Sequence, residues 1–576
     1  MRINEKIVQC DILVIGGGLA GTFAAIKAKE KEDLEVILVD KGYVSMSGGS
    51  SFAGGFSALF KPESGHDYTG WKNRAIKTGE YLVNQDWLDI HLQNSWARYQ
   101  QLIEWGAPFF KDENGKVVEF SVGYPLTNVR LLSQKFMPVI RKKALKIGVK
   151  VLDRIMITDL LKQDGRVVGA VGFHTRDGDF YTFKSKATVV ATGQGTFKAP
   201  GYPHDYWTAD GESMCYRAGL GLTSREFGQQ CEYIYRRYPS LFTVHKPSKK
   251  IHNAEGELFE KKYYQANSVA EGSPDRFHKA EMFEVHNGRG PIYEDLTDVS
   301  PEERKLIEES ELQINRMYVR KRLGHDLSQG RHEILWGSSV GATGPAAGGV
   351  VINTKCETEL PGLYVAGDTA GTNLCGALYI AVGFGLTTAV VSGYIAGENA
   401  ANYSEKAEKP IVNRKEISGL REVLYSPLDR KGGFRSSWVT QMLQNTMVPY
   451  YIMGIKREDR MQAALTLIKF IQEHLVPLQR AEDPHELRMA NEVRNMALNA
   501  EMVLRASIFR TESRGLHYRE DYPSRDDENW LAWTMLKEEE CEMKLHKLPI
   551  PKEWHPDPLK TYEERYDFRF PNEIIK

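Results

Sequence analysis

Residues 10–40, CDILVIGGGLAGTFAAIKAKEKEDLEVILVD, spell a strand, a glycine turn, a helix and a second strand. The run 12–15 is short and wholly apolar, as a strand buried on both faces of a parallel sheet requires. Gly16, Gly18 and Gly21 follow at Gly-x-Gly-x-x-Gly spacing. The spacing has a mechanical meaning: Gly16 permits a tight turn, Gly18 lets a pyrophosphate approach the backbone, and Gly21 lets the helix lie close on the strand. The start of the helix then turns its free N–H groups and partial positive charge toward the phosphates. Asp40 closes the second strand 19 positions after Gly21, where a carboxylate accepts hydrogen bonds from ribose hydroxyls. A glycine turn alone is common, but strand, helix and acid together predict a dinucleotide site.

Later segments read as the completion of that site. The loop 45–55, SMSGGSSFAGG, carries side chains small enough for its amides to approach a flat ring or a phosphate. Trp, Leu and Ile at helical spacing from residue 70 predict helix up to a stop at Gly106 and Pro108, and 131–146 predicts another helix. From 149 onward strands alternate with turns, QDGR and RDGD marking hairpin corners, and 187–193 form a second buried strand. Between 225 and 336 this rhythm stops while aromatics, Lys and Arg rise, which predicts an inserted domain. Inside it, Arg289 stands between two glycines and before Pro291 in HNGRGPIYEDL, a shaped loop that fixes a guanidinium fork. KPSKK at 246–250 reads as a solvated face.

The glycine rhythm returns at GSSVGATGPAAGGVVIN, and from Lys415 helix follows helix. Residues 369–397 hold no charged side chain and are long enough to cross a bilayer. Six glycines and a place directly after GLYVAGD predict a turn and a buried helix instead. The last residues, with five prolines from Pro549 to Pro571, predict an extended tail. Its aromatics suit it to lie on a partner or on its own helical domain. Lys+Arg 75 against Asp+Glu 76 leaves a net charge of −1, which disfavours nucleic acid and anionic membranes as main partners. The six cysteines are scattered without Cys-x-x-Cys. A disulfide framework, a zinc site and a resident iron–sulfur cluster are therefore not expected, no signal peptide is evident, and a reducing cytoplasm fits.

IGGGLAG, LIEWGAPF, DGRVVGAV, ATVVATGQG, TADGESMCYRAG, PGLYVAGD and ESRGLHYREDYPSRDDENW stand in this order along the chain. On these motifs, which cover nearly its whole length, the sequence resembles the flavoprotein subunits of the fumarate reductase and succinate dehydrogenase family. The resemblance implies an α/β fold: a Rossmann-like FAD-binding domain (1–224 and 337–405) with an inserted α+β capping domain (225–336), a C-terminal helical domain (406–547) and the tail (548–576). It implies FAD, with Gly16, Gly18 and Gly21 on the pyrophosphate and Asp40 on the adenosine ribose. Ser47, Gly48 and Gly49 would line the flavin, and Lys41, Thr192, Gly193, Asp210, Gly367 and Asp368 would complete the pocket.

Departures from the family refine the expectation. Many members attach FAD through a His in the serine-glycine loop, but SMSGGSSFAGG has none, so FAD is expected to be non-covalent. The dicarboxylate enzymes hold substrate with a His in HPTG, a His in HYTMGG and an Arg in GANRLGG; the nearest positions here are Cys231, Gly344 and Tyr379. Each lost charge-assisted hydrogen bond is worth about 1.5–3 kcal/mol, which disfavours succinate, fumarate and L-aspartate as substrates. HNGRGPIYEDL and the following GSS are similar in style to the adenylylsulfate reductase alpha subunit, with Ser339 where that branch has a His. Arg289 and Arg237 are the candidate anion holders, and His332 the candidate proton donor or acceptor. With one dinucleotide fingerprint and no cysteine cluster, electrons would pass to a separate iron–sulfur, ferredoxin-like protein. The resulting expectation is a catalytic FAD subunit working between a small anionic substrate and that partner. The alternatives are adenylylsulfate reductase-type or fumarate reductase-type activity, a self-contained flavin oxidase, and a non-catalytic electron-transfer flavoprotein. A flavin-dependent RNA-modifying enzyme is disfavoured by the near-neutral charge.

Overall fold

The structure, a computed structural model, describes residues 3–575 apart from 52, 54, 62, 64, 121–126, 131–132, 200–205, 229–232, 237, 244–250, 264–273, 302–303, 305–323, 325–328, 337–346 and 382. The opening unit forms strand β1 (Glu5–Ile15), helix α1 (Leu19–Lys29) and strand β2 (Val36–Asp40). β1 and β2 run parallel in the register Ile12↔Val36 to Ile15↔Val39. Residues 12–15 and nearly every side chain of α1 are buried, so α1 must be covered on both of its sides.

The helical pattern after residue 70 divides in two. Helix α2 (Tyr68–Thr78) stops at Gly79, and Glu80 and Tyr81 take left-handed backbone angles, φ 51° and 64°. The Asn84 side chain then caps α3 (Gln85–Glu104) by accepting from the Trp87 N–H. At the break the Asn84 N–H donates to the Asn373 carbonyl and the Ala377 N–H to the Gly79 carbonyl. Pairing with a distant loop overrides helical spacing there.

Helix α4 (Ser133–Lys146) leads into β3 (Lys150–Asp153), beside β2. Strands β4 (Ile155–Gln163), β5 (Arg166–His174) and β6 (Phe180–Val190) form an antiparallel meander whose corners are QDGR and RDGD. β6 then runs parallel to β1 from Glu5↔Phe180 to Ile15↔Val190, and helix α5 (Asp210–Arg217) follows. In the inserted region, helix α6 (Pro274–His286) precedes β7 (Ile292–Asp295) and β8 (Arg331–Trp336), an antiparallel pair within a five-stranded sheet. α6 is docked on the helical region. Buried Lys279 donates to the Gly454 and Leu516 carbonyls at 2.6 and 2.8 Å, and Met282 and Phe283 join the helical core.

Strand β9 (Leu363–Val365) returns to the first sheet beside β6, so β3, β2, β1, β6 and β9 stand side by side and parallel at their carboxyl ends. Helix α7 (Phe384–Ser404) contains the second half of the uncharged stretch and lies directly on α1: a Cβ at Gly393 or Gly397 would meet the Ala20 or Ala24 carbonyl oxygen at 2.3 Å. No helix among the described residues is long and apolar enough to cross a membrane.

The C-terminal region is helical through α8 (Pro484–Phe509), then departs from expectation. β10 (Ala532–Glu539) and β11 (Glu542–Pro549) form a hairpin, and β10 pairs antiparallel with the short strand Leu222–Thr223. Ala532, Thr534 and Leu536 are its buried positions, an alternation that the apolar Trp533 and Met535 between them obscure. The tail lies on its own body. Tyr566, Phe568 and Phe570 are buried, and Glu573 pairs with Arg525, which also holds Glu80 at 2.7 Å.

Candidate cofactor site

The site lies over the aligned carboxyl ends of the parallel strands, where such sheets open a crevice. Its glycines have distinct roles. Gly16 has φ +108°, and a Cβ there would lie 2.3 Å from the Ala191 carbonyl oxygen; at Gly21 it would lie 1.9 Å from that of Gly16. Both are needed for the chain to fit itself. At Gly18 a Cβ would meet only Ser50 Oγ, at 3.6 Å, so this position keeps open the space before the start of α1. The Asp40 carboxylate closes the turn, accepting from the Gly17 and Gly42 N–H groups at 2.7 Å each and from Ser47 Oγ at 3.1 Å.

Lys41 extends into a buried network. Its Nζ lies 2.6 Å from Thr208 Oγ1, 2.7 Å from Asp210 Oδ2 and 3.0 Å from Glu492 Oε1 on α8. Asp210 also accepts from Thr208 and from Asn495 Nδ2. Glu492 additionally receives Lys198 at 2.7 Å and Arg488 at 2.6 Å. Burial alone would push the Glu492 carboxyl up, but Lys41, Lys198 and Arg488 hold it well below the usual carboxylate range. Sequence reading missed Glu492, Lys198, Arg488 and Asn495. The available signal was the repetition of Glu492, Met496, Asn499 and Val503 along one face of α8, all buried.

Beyond β1, the ends of β6 and β9 are tied together. Thr192 Oγ1 accepts from the Gly211 N–H at 2.9 Å, and Thr369 Oγ1 donates to the Gly193 carbonyl at 2.9 Å. Gly367 has φ +66°, and Asp368 follows it with Oδ1 buried and, among the described residues, without a hydrogen-bond partner. Burial, with the Glu212 carboxylate adding to it, pushes the Asp368 carboxyl up to about 7. In the serine-glycine loop, Gly48 has φ +82° with open space where a Cβ would stand, while Gly49 abuts the Trp207 ring. Space over Gly18, N–H groups at the start of α1 and a buried carboxylate oxygen awaiting a donor fit a pyrophosphate followed by a hydroxyl-bearing linker. These residues suit FAD.

The catalytic candidates are spread over the inserted region. Arg289 faces the fully buried Glu284, Nε at 2.8 Å and Nη2 at 2.6 Å. Asn253 and Tyr263 also donate to Glu284, at 2.8 and 2.7 Å. Burial opposes its charge, yet the Arg289 fork and these two donors lower the Glu284 carboxyl to about 2. Glu284 was not recognised from sequence, although it stands five residues before Arg289 in the same stretch. His332 lies on β8 opposite Glu294, its Nε2 2.7 Å from the Gln329 carbonyl. Tyr379 is buried, and its hydroxyl oxygen accepts from the Gly385 N–H at 2.9 Å. Arg237, Cys231, Ser339, Gly344 and the 246–250 run lie outside the described residues.

A parallel sheet carrying this cradle, an inserted cap and a helical C-terminal region defines an FAD-dependent oxidoreductase. The chain belongs to the fumarate reductase and succinate dehydrogenase flavoprotein family: residues 11–378 match the FAD binding domain, and residues 440–562 match the fumarate reductase flavoprotein C-terminal domain. It is 27% identical over 562 residues to one of the subunits of the CoM/CoB fumarate reductase of Methanothermobacter marburgensis, covering 93% of this chain and 98% of that one. A variant of E. coli quinol fumarate reductase shares the fold at TM-score 0.83 and 21% identity, over 96% of this chain and 99% of its own. Adenylylsulfate reductase of Archaeoglobus fulgidus shares it at TM-score 0.79 and 22% identity, over 96% and 97%.

Proposed function

We propose that this chain is the catalytic FAD subunit of an oxidoreductase that moves electrons between a small anionic substrate and an iron–sulfur partner protein, in a reducing cytoplasm. The observation that carries the reading is a dinucleotide cradle in one chain with Arg289, whose fork is fixed by Glu284 on the inserted domain. Nε and Nη2 of Arg289 face Glu284, which leaves Nη1 to meet an anion. In the cradle, Gly16, Gly18 and Gly21 with the start of α1 would hold the pyrophosphate, and Asp40 the adenosine ribose through its remaining lone pairs. Asp368 would accept a hydroxyl of the linker, while Thr192, Gly193 and Gly367 shape that side of the pocket. Ser47, Gly48 and Gly49 would lie along the flavin. Lys41 and Asp210 would act from behind, bracing the loops through Glu492 and Asn495.

Bound FAD supplies hydride and electron exchange at its ring. The chain's residues orient the substrate and exclude water from it, with His332 as the candidate proton carrier. Tyr379, the nearest position to the substrate arginine of the dicarboxylate enzymes, is a buried phenol without a guanidinium charge, which supports a substrate other than fumarate or succinate. The related Methanothermobacter protein is named as one chain of a larger enzyme, which supports a partner. The absence of His from residues 45–55 supports non-covalent FAD.

Acid denaturation of purified protein is expected to release all its FAD, and reduced-dye assays with fumarate should show negligible turnover. Flavin retained on the polypeptide, or fumarate turnover near about 10 per second, would refute those parts. A co-purifying protein containing iron and acid-labile sulfide is the expected partner. Robust turnover by the isolated chain with oxygen alone would overturn that assignment.

A further inference from the structure

We propose that Trp207 is an aromatic wall of the flavin half of the site, fixing the ring where no covalent bond does so. The proposal rests on the assignment of FAD to the cradle. With the ribose acceptor Asp40 at the end of β2 and the phosphate space over β1 and α1, the flavin half falls beyond β1, over the ends of β6 and β9. The Trp207 indole lies there. A Cβ at Gly49 would stand 1.9 Å from its Cζ2, and a Cβ at Gly193 would stand 3.2 Å from its Cδ1 and Nε1. The six-membered edge thus rests on the serine-glycine loop and the pyrrole edge on the loop after β6. Glycine at both places lets the ring sit there.

The backbone beneath the ring is fixed. The Trp207 carbonyl accepts from the Thr196 N–H at 2.8 Å and from Thr196 Oγ1 at 2.9 Å. The next residue, Thr208, is held by Lys41 at 2.6 Å and Asp210 at 2.8 Å. Yet Trp207 is only half-buried, and Gly48, beside Gly49, has open space where a Cβ would stand. A planar side chain seated at two edges beside open volume loses little freedom when a second planar ring packs on it.

The test uses full-length wild type, Trp207→Phe and Trp207→Ala, each freed of cofactor and titrated with FAD. Flavin fluorescence reports affinity, tryptophan emission reports proximity, and thermal melts without FAD report folding. We expect Trp207→Ala to bind FAD at least tenfold more weakly and Trp207→Phe to recover part of the loss. The emission that wild type has and Trp207→Phe lacks should be quenched by FAD. Wild-type affinity in both variants, or equal emission with and without FAD for the Trp207 component, would overturn the proposal. If Trp207→Ala melts early, the quenching difference between wild type and Trp207→Phe still decides. Failure of wild type itself to bind FAD would instead remove the cofactor assignment.

Discussion

Replacing Glu492 by Gln should destabilise the protein and loosen the cofactor loops together. Glu492 is fully buried on α8 and is shared by Lys41, Lys198 and Arg488 at 3.0, 2.7 and 2.6 Å. Gln keeps the shape but removes the charge, leaving three cations around a carboxamide. Removing one partner of a buried ion pair costs about 3–5 kcal/mol. Lys198 and Arg488 are each 15% exposed and can recover water, which puts this case near the lower end, about 3 kcal/mol. For a cooperative unit of domain size that is a fall of roughly 6 °C in the unfolding midpoint. The sign with pH follows from the depressed carboxyl of Glu492. Its contribution is complete above the ordinary carboxylate range and disappears as pH falls through the folded-state value. The assay is denaturant and thermal unfolding of wild type, Glu492→Gln and the exposed control Glu473→Gln, at pH 7 and at successively lower pH. A gap below about 1 kcal/mol at pH 7 would refute the ion-pair account, as would a gap that widens toward acid.

Gly18→Val should fold with near wild-type stability yet lose FAD, because its Cβ has room beside Ser50; Gly21→Val should lower stability itself, because its Cβ collides with the Gly16 carbonyl. Melts without FAD and flavin content of the purified variants separate the two. Asp368, raised to about 7 in the fold, should make cofactor-free protein less stable as pH rises from 4 through 7, by an amount of order 4 kcal/mol; Asp368→Asn should flatten that slope in unfolding titrations. Truncation after Lys547 should lower the melting midpoint by removing buried Tyr566, Phe568 and Phe570 and the Glu573 pair with Arg525; an unchanged midpoint would show that the tail contributes nothing to the body.

What was legible in the sequence divides by the distance over which a residue finds its partner. The opening unit is local: the apolar run 12–15, the three glycines and Asp40 interact within one strand–helix–strand, so spacing alone conveyed their geometry. Arg289 was legible as a fixed arginine from the glycines and Pro291 around it, a local signal as well, although its anchor Glu284 five residues away was not. Lys41 marks the opposite limit. Its partners Asp210 and Glu492 lie on two helices far along the chain, and the repetition along α8 that turns Glu492 inward does not record which cation it meets. Glu492 therefore looked like one more charge on an exposed helix. The hairpin of β10 and β11 was hidden similarly, since β10 pairs with the distant Leu222–Thr223 and Trp533 and Met535 stand between its buried positions. In the tail the aromatics were legible as anchors, but which surface they meet depends on Arg525, which pairs with the distant Glu80 as well as with Glu573. Trp207 is likewise beyond what sequence can assign. The ring is positioned by the absence of side chains at Gly49 and Gly193, from two other segments, and only the folded chain brings those vacancies to one place.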